Sequence, residues 1–440
     1  MATLGLKGAV RISRSLISGM PCLFERLQQL EPGAFGVLMR CVEVAQAEGL
    51  ELALVGGALR DLCRSTWHNH PWTGLPDLDL VVIDSLAQAE VVPPAHRLAL
   101  ALGRHSPLDR CVLHGAYGTA ELQMDAVFLD LASARCEHYP LPGHNPIVEL
   151  GDLHADLARR DFSINAMALV WGRPAPLLDP FGGIQALAEG RLSFLHERSL
   201  EDDPTRLVRA ARYAARLGMD LDPPACAQVQ RTVKRWPWRT APDGRLPASL
   251  GVRLRMELEL LLQAEPWRPA LEHLQRWGGL MLLDSAVQER FGWSWALSRA
   301  ERLQVPLLTV LVAAAADPIA LAERLQLAHQ EHRRLLALKS LQAWLQLESQ
   351  EADPGWSASR WTCAIESLPH PELAVPLALC LGGGGLQPLL HWWWRWRHQR
   401  PELSASELIA TGITPGPALG ERLRDLRLKA LDQRWPIRKR

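Results

Sequence analysis

Apolar positions along the chain fall into two regimes that change near residue 171. Between about 20 and 50 they recur at helical spacing: Leu23, Leu27 and Leu30, then Phe35, Leu38, Val42 and Ala45. A short unbroken apolar run, Leu52 to Val55, reads as a buried strand that ends on Gly56-Gly57. The pattern next predicts a short helix from Ala58 to Arg64, a loop rich in His, Pro and Trp, and a strand from Leu78 to Ile83. Ala87 to Leu102 has helical character, and Cys111 to Val127 with Phe128 to Ala132 read as paired strands. From Asp179 onward the strand signal fades. The rest is rich in Leu, Ala and Arg at helical spacing, punctuated by Pro and Gly. The run Gly382 to Gly385 reads as a helix break, because no Lys-Ser/Thr follows it as in a phosphate loop. The expected fold class is α+β: a mixed-sheet head with helices, then an all-α portion.

A chain of 440 residues with 48% apolar composition allows several packed cores. It excludes a disordered tail, a collagen-like fibre and a small disulfide scaffold. The 48 basic and 48 acidic residues cancel, which argues against a uniformly basic nucleic-acid binder. Locally the balance differs. Residues 206–255 hold 11 basic residues against three acids, and residues 391–440 hold 11 against five. Only five of the 48 bases are lysines, so phosphate contacts would fall to arginine forks. The eight cysteines are scattered without a CxxC pair, as expected of small core residues in a reducing compartment rather than of a metal cluster. The longest apolar run, Val305 to Ala316, is 12 residues, too short to span a bilayer. Lys7, Arg11 and Arg14 interrupt any signal-peptide core at the N-terminus. These features lead us to expect a cytoplasmic protein.

Four stretches carry chemistry. In the first, Leu54-Val55-Gly56-Gly57-Ala58-Leu59-Arg60-Asp61, a strand runs into two glycines and a helix start. Such a turn lets backbone approach a phosphate, and Arg60 adds a charged fork. In the second, Asp77-Leu78-Asp79 opens a strand, so its two carboxylates project from one face. Paired carboxylates beside a phosphate turn are what Mg²⁺-dependent phosphoryl transfer requires. A third carboxylate is expected on a neighbouring strand, with Asp130 the best candidate and Asp125 its rival. The third stretch runs from Arg159 to Ala166: Arg160 could hold a triphosphate, while Asp161 and Asn165, four apart on one helix face, could hold ribose hydroxyls. In the fourth, Asp202-Asp203-Pro204-Thr205-Arg206 opens a helix with arginines at 206, 209, 212 and 216. Few acids lie nearby in sequence, which favours an anionic ligand. Farther on, His391 to His398 interleaves four tryptophans with Arg395 and Arg397, either a base-stacking surface or a buried Trp face.

These stretches, in this order and spacing, resemble the class II tRNA nucleotidyltransferase/poly(A) polymerase family of the polymerase-β superfamily. The family's opening motif is matched by Gly56-Gly57, Arg60-Asp61 and Asp77 with Asp79. Its RRDFxxNA motif is matched by Arg160-Asp161-Phe162 with Asn165-Ala166. Asp179-Pro180-Phe181-Gly182-Gly183 resembles the hinge between head and neck, and Asp203-Pro204 with Arg206, Arg209 and Arg212 resembles the nucleotide-reading helix. Pro415-Gly416-Pro417 resembles the signature of the tail. The resemblance is dense over residues 52–220 and thin beyond. Two departures stand out: Asp202 replaces the usual Glu of the neck motif, and the Leu62 to Pro76 loop, with His68 and His70, is long.

The resemblance implies an N-terminal extension over 1–22, a nucleotidyltransferase head over 23–175, a helical neck over 176–255 and a tRNA-binding body and tail over 256–440. It implies Asp77 and Asp79 as ligands of Mg²⁺, two ions in all, with Asp130 as third catalytic carboxylate. Gly56, Gly57, Arg60, Asp61, Arg160, Asp161, Asn165, Asp203, Arg206, Arg209 and Arg212 would bind the nucleotide. Asp203 and Arg206, i and i+3 on one helix, would read the Watson–Crick edges of C and A, each an exocyclic amine beside a ring-nitrogen acceptor. The expected activity is template-free addition of C and/or A to tRNA 3′ ends from CTP and ATP, with tRNA as partner. The product, whether CCA, CC, A or a poly(A) tail, stays open; a catalytically idle RNA-binding protein is the alternative from another class.

Overall fold

The computed structural model describes residues 23–84, 92–115, 117–173, 176–236, 246–348, 356–383 and 385–436. The N-terminal extension, the first part of the helix expected from Ala87, the basic residues Arg239 and Arg245, and Gly384 lie outside them. The chain forms two compact units, Met1–Leu250 with Pro269–Trp277, and Gly251–Arg268 with Gly278–Arg440.

The first unit opens with helices α1 (Leu23–Leu30) and α2 (Pro32–Ala47). Pro32 at the first position of α2 separates them, because its missing N–H is tolerated there but not in a helix interior. Then come β1 (Leu50–Val55), α3 (Gly56–Trp67), β2 (Leu78–Asp84), α4 (Pro94–His105), β3 (Arg110–His114), β4 (Thr119–Met124) and β5 (Val127–Ser133). The paired strands expected from Cys111 are thus three. A ribbon follows, β6 (Arg135–His138) with β7 (Ile147–Leu150), then α5 (Leu153–Ala158), β8 (Ala168–Val170) and β9 (Leu177–Leu178). Seven of these strands form one mixed sheet in the order β3-β4-β5-β2-β1-β8-β9. Its β2–β5 pair is parallel and the other neighbours are antiparallel.

The sheet is buried on both faces at its centre. Ala53, Val55, Val81 and Ile83 pack with Ala168, Val170 and, from α5, Leu153 and Leu157. The alternating residues Leu52, Leu54, Leu80 and Val82 are equally buried, with α2 packed on β1 and α4 on β2, β4 and β5. This two-sided burial explains why β1 and β2 read as continuous apolar runs instead of alternating ones.

Past the sheet come α6 (Gly183–Glu189), β10 (Arg191–Leu192), α7 (Ser199–Asp202), α8 (Thr205–Leu217), β11 (Asp220–Leu221) and α9 (Pro223–Lys234). The helical character expected from residue 176 onward therefore has two exceptions among the described residues, strand β9, which pairs with β8 of the head sheet, and the parallel pair β10–β11. Two residues per strand are too few to show a period of two. Helix α8 stops where Gly218 takes a left-handed conformation, and Asp222 caps α9 by accepting the Ala225 N–H.

The second unit is helical among its described residues. Pro371–Leu381, buried from Ala374 to Cys380, packs against His329–Glu348 and Trp293–Leu303. It ends at Gly382 with φ +75°, so the expected helix break is present. The apolar run from Val305 contains the buried helix Leu307–Ala313, and no described helix is long and apolar enough to cross a membrane. The Trp-rich segment divides its rings: Trp392 and Trp396 are buried, whereas Trp394 is 60% exposed. Arg397 lies 3.5 Å from the ring centroid of Trp393. Pro417 starts the last helix, Pro417–Arg434, after Gly416 at φ +152°.

Candidate active site

Strand β1 delivers the chain to Gly56, whose φ of +65° disfavours any residue with a Cβ. Space forbids one too: a Cβ there would lie 2.7 Å from Oδ2 of Asp79. The backbone of Gly57 hydrogen-bonds the same carboxylate. The glycine turn thus lies directly against the first acid of β2.

Asp77 sits just ahead of β2 and Asp79 at its second position. Parallel pairing sets Asp130 of β5 beside Asp79 in register. Carboxylate oxygens of Asp77, Asp79 and Asp130 all lie within 4.8 Å of one another. Asp125 lies elsewhere. It occupies the tight turn between β4 and β5 at φ +50° and pairs with Arg40. Burial, then the charge of Asp77, raises the proton affinity of Asp79, with Asp130 adding to it and Arg160 opposing. Burial, Asp77 and Glu121 do the same for Asp130. Three convergent oxygen donors whose mutual repulsion is only partly offset by Arg160 and His114 fit a hard divalent cation. The stretch expected as a loop from Leu62 to Pro76 is helical as far as Trp67, and in the loop that follows His68 and His70 belong to no cluster of three potential ligands among the described residues.

Five of the remaining expected nucleotide ligands form a relay that is buried at its centre. Arg60, 4% exposed, grips Asp61 through Nε (2.9 Å) and Nη2 (2.7 Å) and donates through Nη1 to Asn165 Oδ1 at 2.9 Å. Asn165 Nδ2 donates to Asp161 Oδ1 at 3.0 Å, and Asp161 Oδ2 pairs with Arg209 at 2.7 Å. Burial pushes the Asp161 carboxyl up, but Arg209, Asn165 and Arg206 outweigh it and hold it below the usual range. Two expectations change here. Asp161 and Asn165 are not on one helix face, because α5 ends at Ala158 and Asn165 closes a separate 3₁₀ turn, Ser163–Asn165. And the arginines of α8 are not without acids: Asp161, remote in sequence, reaches Arg209, while Arg216 stacks 4.8 Å from the Tyr213 ring centroid. Arg212 is partly buried on α8.

Asp203 and Arg206 are close but do not share a helix. Asp203 is extended (φ −141°, ψ 98°) between α7 and α8, and its Oδ1 accepts from the Thr205 N–H and hydroxyl. Pro204 between them is what keeps Asp203 out of the helical region. Arg206, 5% exposed, donates through Nη2 to the Arg159 carbonyl at 2.8 Å, while its buried Nη1 has no hydrogen-bond partner. An orphaned buried guanidinium nitrogen is costly unless a ligand supplies the acceptor.

Several structural partners escaped the sequence reading. Asp156, fully buried, pairs with Arg159 (2.7 Å) and Arg160 (2.9 Å); its i, i+3 and i, i+4 spacing was the available signal. Glu137 accepts from Arg135 (2.9 Å), Arg159 (3.2 Å) and the Tyr139 hydroxyl (3.1 Å), and nothing in local spacing announces the Arg159 contact. In the hinge stretch, Asp179 caps α6 through the N–H groups of Gly183 (2.6 Å) and Ile184 (2.9 Å). A Cβ at Gly183 would meet the Ser163 carbonyl at 2.4 Å, which is why only glycine fits.

Residues 52–193 match the family described as the poly(A) polymerase head domain. The chain is 36% identical over 389 residues to a CC-adding tRNA nucleotidyltransferase of Deinococcus radiodurans, covering 86% of this chain and 83% of that one. The chain belongs to the tRNA nucleotidyltransferase/poly(A) polymerase family. An A-adding tRNA nucleotidyltransferase of Halalkalibacterium halodurans is 39% identical over 186 residues, 41% of this chain and 39% of that one. Among solved structures, a CCA-adding enzyme in its apo form superposes with a TM-score of 0.70 at 22% identity, covering 94% of this chain and 95% of that one. At that identity the likeness shows the fold: a family head followed by helices along nearly the whole chain.

Proposed function

We propose that this chain adds cytidylate to the 3′ end of tRNA, transferring CMP from CTP and releasing pyrophosphate, and that two additions are its main product. The convergence of Asp77, Asp79 and Asp130 against the Gly56-Gly57 turn carries the catalytic reading. The limit to C follows the CC-adding relative, which matches most of this chain.

In this reading Asp77, Asp79 and Asp130 hold Mg²⁺, two ions when the site is full. A metal held there would supply a lowered pKa for the RNA 3′-hydroxyl and neutralise charge on the phosphates. Gly56 and Gly57, lacking side chains, leave room for the triphosphate to approach the backbone. Arg160, anchored on Asp156, supplies positive charge near the carboxylates, and Arg60, Asp61, Asp161, Asn165 and Arg209 fix the angle of α8 under the nucleotide. Arg212 adds positive charge farther along α8. Asp203 accepts from the exocyclic amine of cytosine, and Arg206 Nη1 donates to its ring nitrogen. Uracil presents the reverse at both positions and is rejected at a cost on the order of 1–3 kcal/mol per contact. Residues 23–175 serve as head, 176–255 as neck and 256–440 as the tRNA-holding body and tail. A tRNA substrate places the protein in the cytoplasm.

The test offers purified protein three tRNAs, ending at the discriminator base, at C, or at CC, each with labelled CTP or ATP and Mg²⁺. Two C additions to the first, one to the second and none to the third are expected. Incorporation of A after CC would make the product CCA, poly-A tailing would reassign it to the polymerase branch, and incorporation of neither nucleotide would leave an idle RNA-binding protein.

A further inference from the structure

The β6–β7 ribbon carries a second set of converging ligand atoms, away from the carboxylate trio. Cys136 and His138 are two apart on β6 and therefore project from one face. Antiparallel pairing sets Glu149 of β7 directly opposite Cys136, so its side chain rises from that same face. The Cys136 thiol, the His138 ring and the Glu149 carboxylate offer ligand atoms within 4.8 Å of one another. Neither the His138 ring nor the Glu149 carboxylate has a hydrogen bond or ion pair among the described residues. On the opposite face Glu137 accepts from Arg135, from the Tyr139 hydroxyl and from Arg159.

We propose that Cys136, His138 and Glu149 form a binding site for a borderline-soft divalent cation of the Zn²⁺ class, distinct from the Mg²⁺ site. A thiolate, an imidazole and a carboxylate are a donor set that selects such an ion over Mg²⁺, which takes oxygen ligands. Tetrahedral zinc at ordinary bond lengths holds its ligand atoms about 3.5 Å apart. His138 and Glu149 are exposed, so binding would draw their side chains in by rotation. Three protein ligands leave the fourth position to water. The bound ion would tie β6 to β7. It would thereby stiffen the strand whose other face seats Glu137 on Arg159, the residue whose carbonyl holds Arg206. Cys136 stands apart from every other cysteine in the sequence, so only strand pairing assembles the site.

Full-length protein in excess Mg²⁺, which occupies the carboxylate trio, is titrated with Co²⁺ as a spectroscopic stand-in and then with Zn²⁺. One Co²⁺ with a thiolate-to-metal charge-transfer band is expected, displaced by one Zn²⁺, together with slowed amide exchange over residues 135–150. Cys136→Ser should abolish the band, and His138→Ala or Glu149→Gln should weaken binding at least about tenfold. Because Cys111 and Cys363 are also exposed, the Cys136→Ser comparison assigns the thiolate. Should that variant fold poorly, the His138 and Glu149 variants, changed on exposed side chains, decide alone. No thiolate band, a band surviving Cys136→Ser, or unchanged affinity in the other two variants would overturn the proposal.

Discussion

The Cβ that Gly56 lacks would stand 2.7 Å from Oδ2 of Asp79. The turn and the acid are thus fitted to each other, and the residue that connects β1 to α3 decides where a metal-ligand candidate points. Gly56→Ala would incur a left-handed backbone penalty of roughly 1–2 kcal/mol and displace the carboxylate. We expect nucleotide addition to fall at least about 100-fold, because sub-ångström placement governs such chemistry. Steady-state kinetics beside a thermal melt checks this; near-normal activity would show that the Asp79 position is not critical.

Asp130 and Asp125 lie on the same β-hairpin, yet only Asp130 joins Asp77 and Asp79. Asp130→Asn should lower kcat by at least about 100-fold, more than a change that merely reorients a ligand. Asp125→Asn, on an exposed turn, should stay within about twofold of the parent. Equal effects from the two would sink the assignment of the third carboxylate.

Arg206 is buried with one guanidinium nitrogen unpaired. Replacing it with lysine keeps the charge but removes the fork that holds the Arg159 carbonyl and, in the proposed reading, would meet the base at the same time. The ratio of kcat/KM for CTP over UTP should fall about tenfold or more in Arg206→Lys. An unchanged ratio with a lower rate would assign Arg206 to structure and not to base reading.

Acid should loosen the first unit through Asp156. Burial raises the proton affinity of this carboxyl, but Arg160 and Arg159 outweigh it and hold it below the usual carboxylate range. The native state then binds fewer protons there than the unfolded chain. Its stabilisation is therefore complete above the unfolded value of about pH 4 and is lost as pH falls through the lower native value. Asp161 acts in the same direction. Asp156→Asn should cost about 3–5 kcal/mol at pH 7, since it leaves two arginines under-compensated. Melting curves recorded from pH 7 down to 3 should converge for parent and variant; curves that remain parallel would contradict this.

Local information was enough for much of the molecule. The apolar run from Leu52 and the glycines after it located β1 and the turn, because a strand buried on both faces leaves an unbroken signature. Asp77 and Asp79 were legible because a period of two is a covalent property of a strand, independent of what surrounds it. The break at Gly382 follows likewise from short-range backbone chemistry.

Where the sequence faltered, the missing information was long-range. The choice of Asp130 over Asp125 depends on which residue of β5 is registered with Asp79, a pairing made across 51 positions of chain. Asp161 and Asn165 read as neighbours on a helix because their spacing allowed it; Arg60 and Arg209, from two other elements, take their side chains into a relay instead. The arginines of α8 read as lacking acids because Asp161 lies far away in sequence. The sequence by itself determined the first elements of the head, the family and the residue types of the site, since these are written in local spacing. Tertiary structure alone decided which charges meet, because burial and strand register bring together residues that no local pattern links.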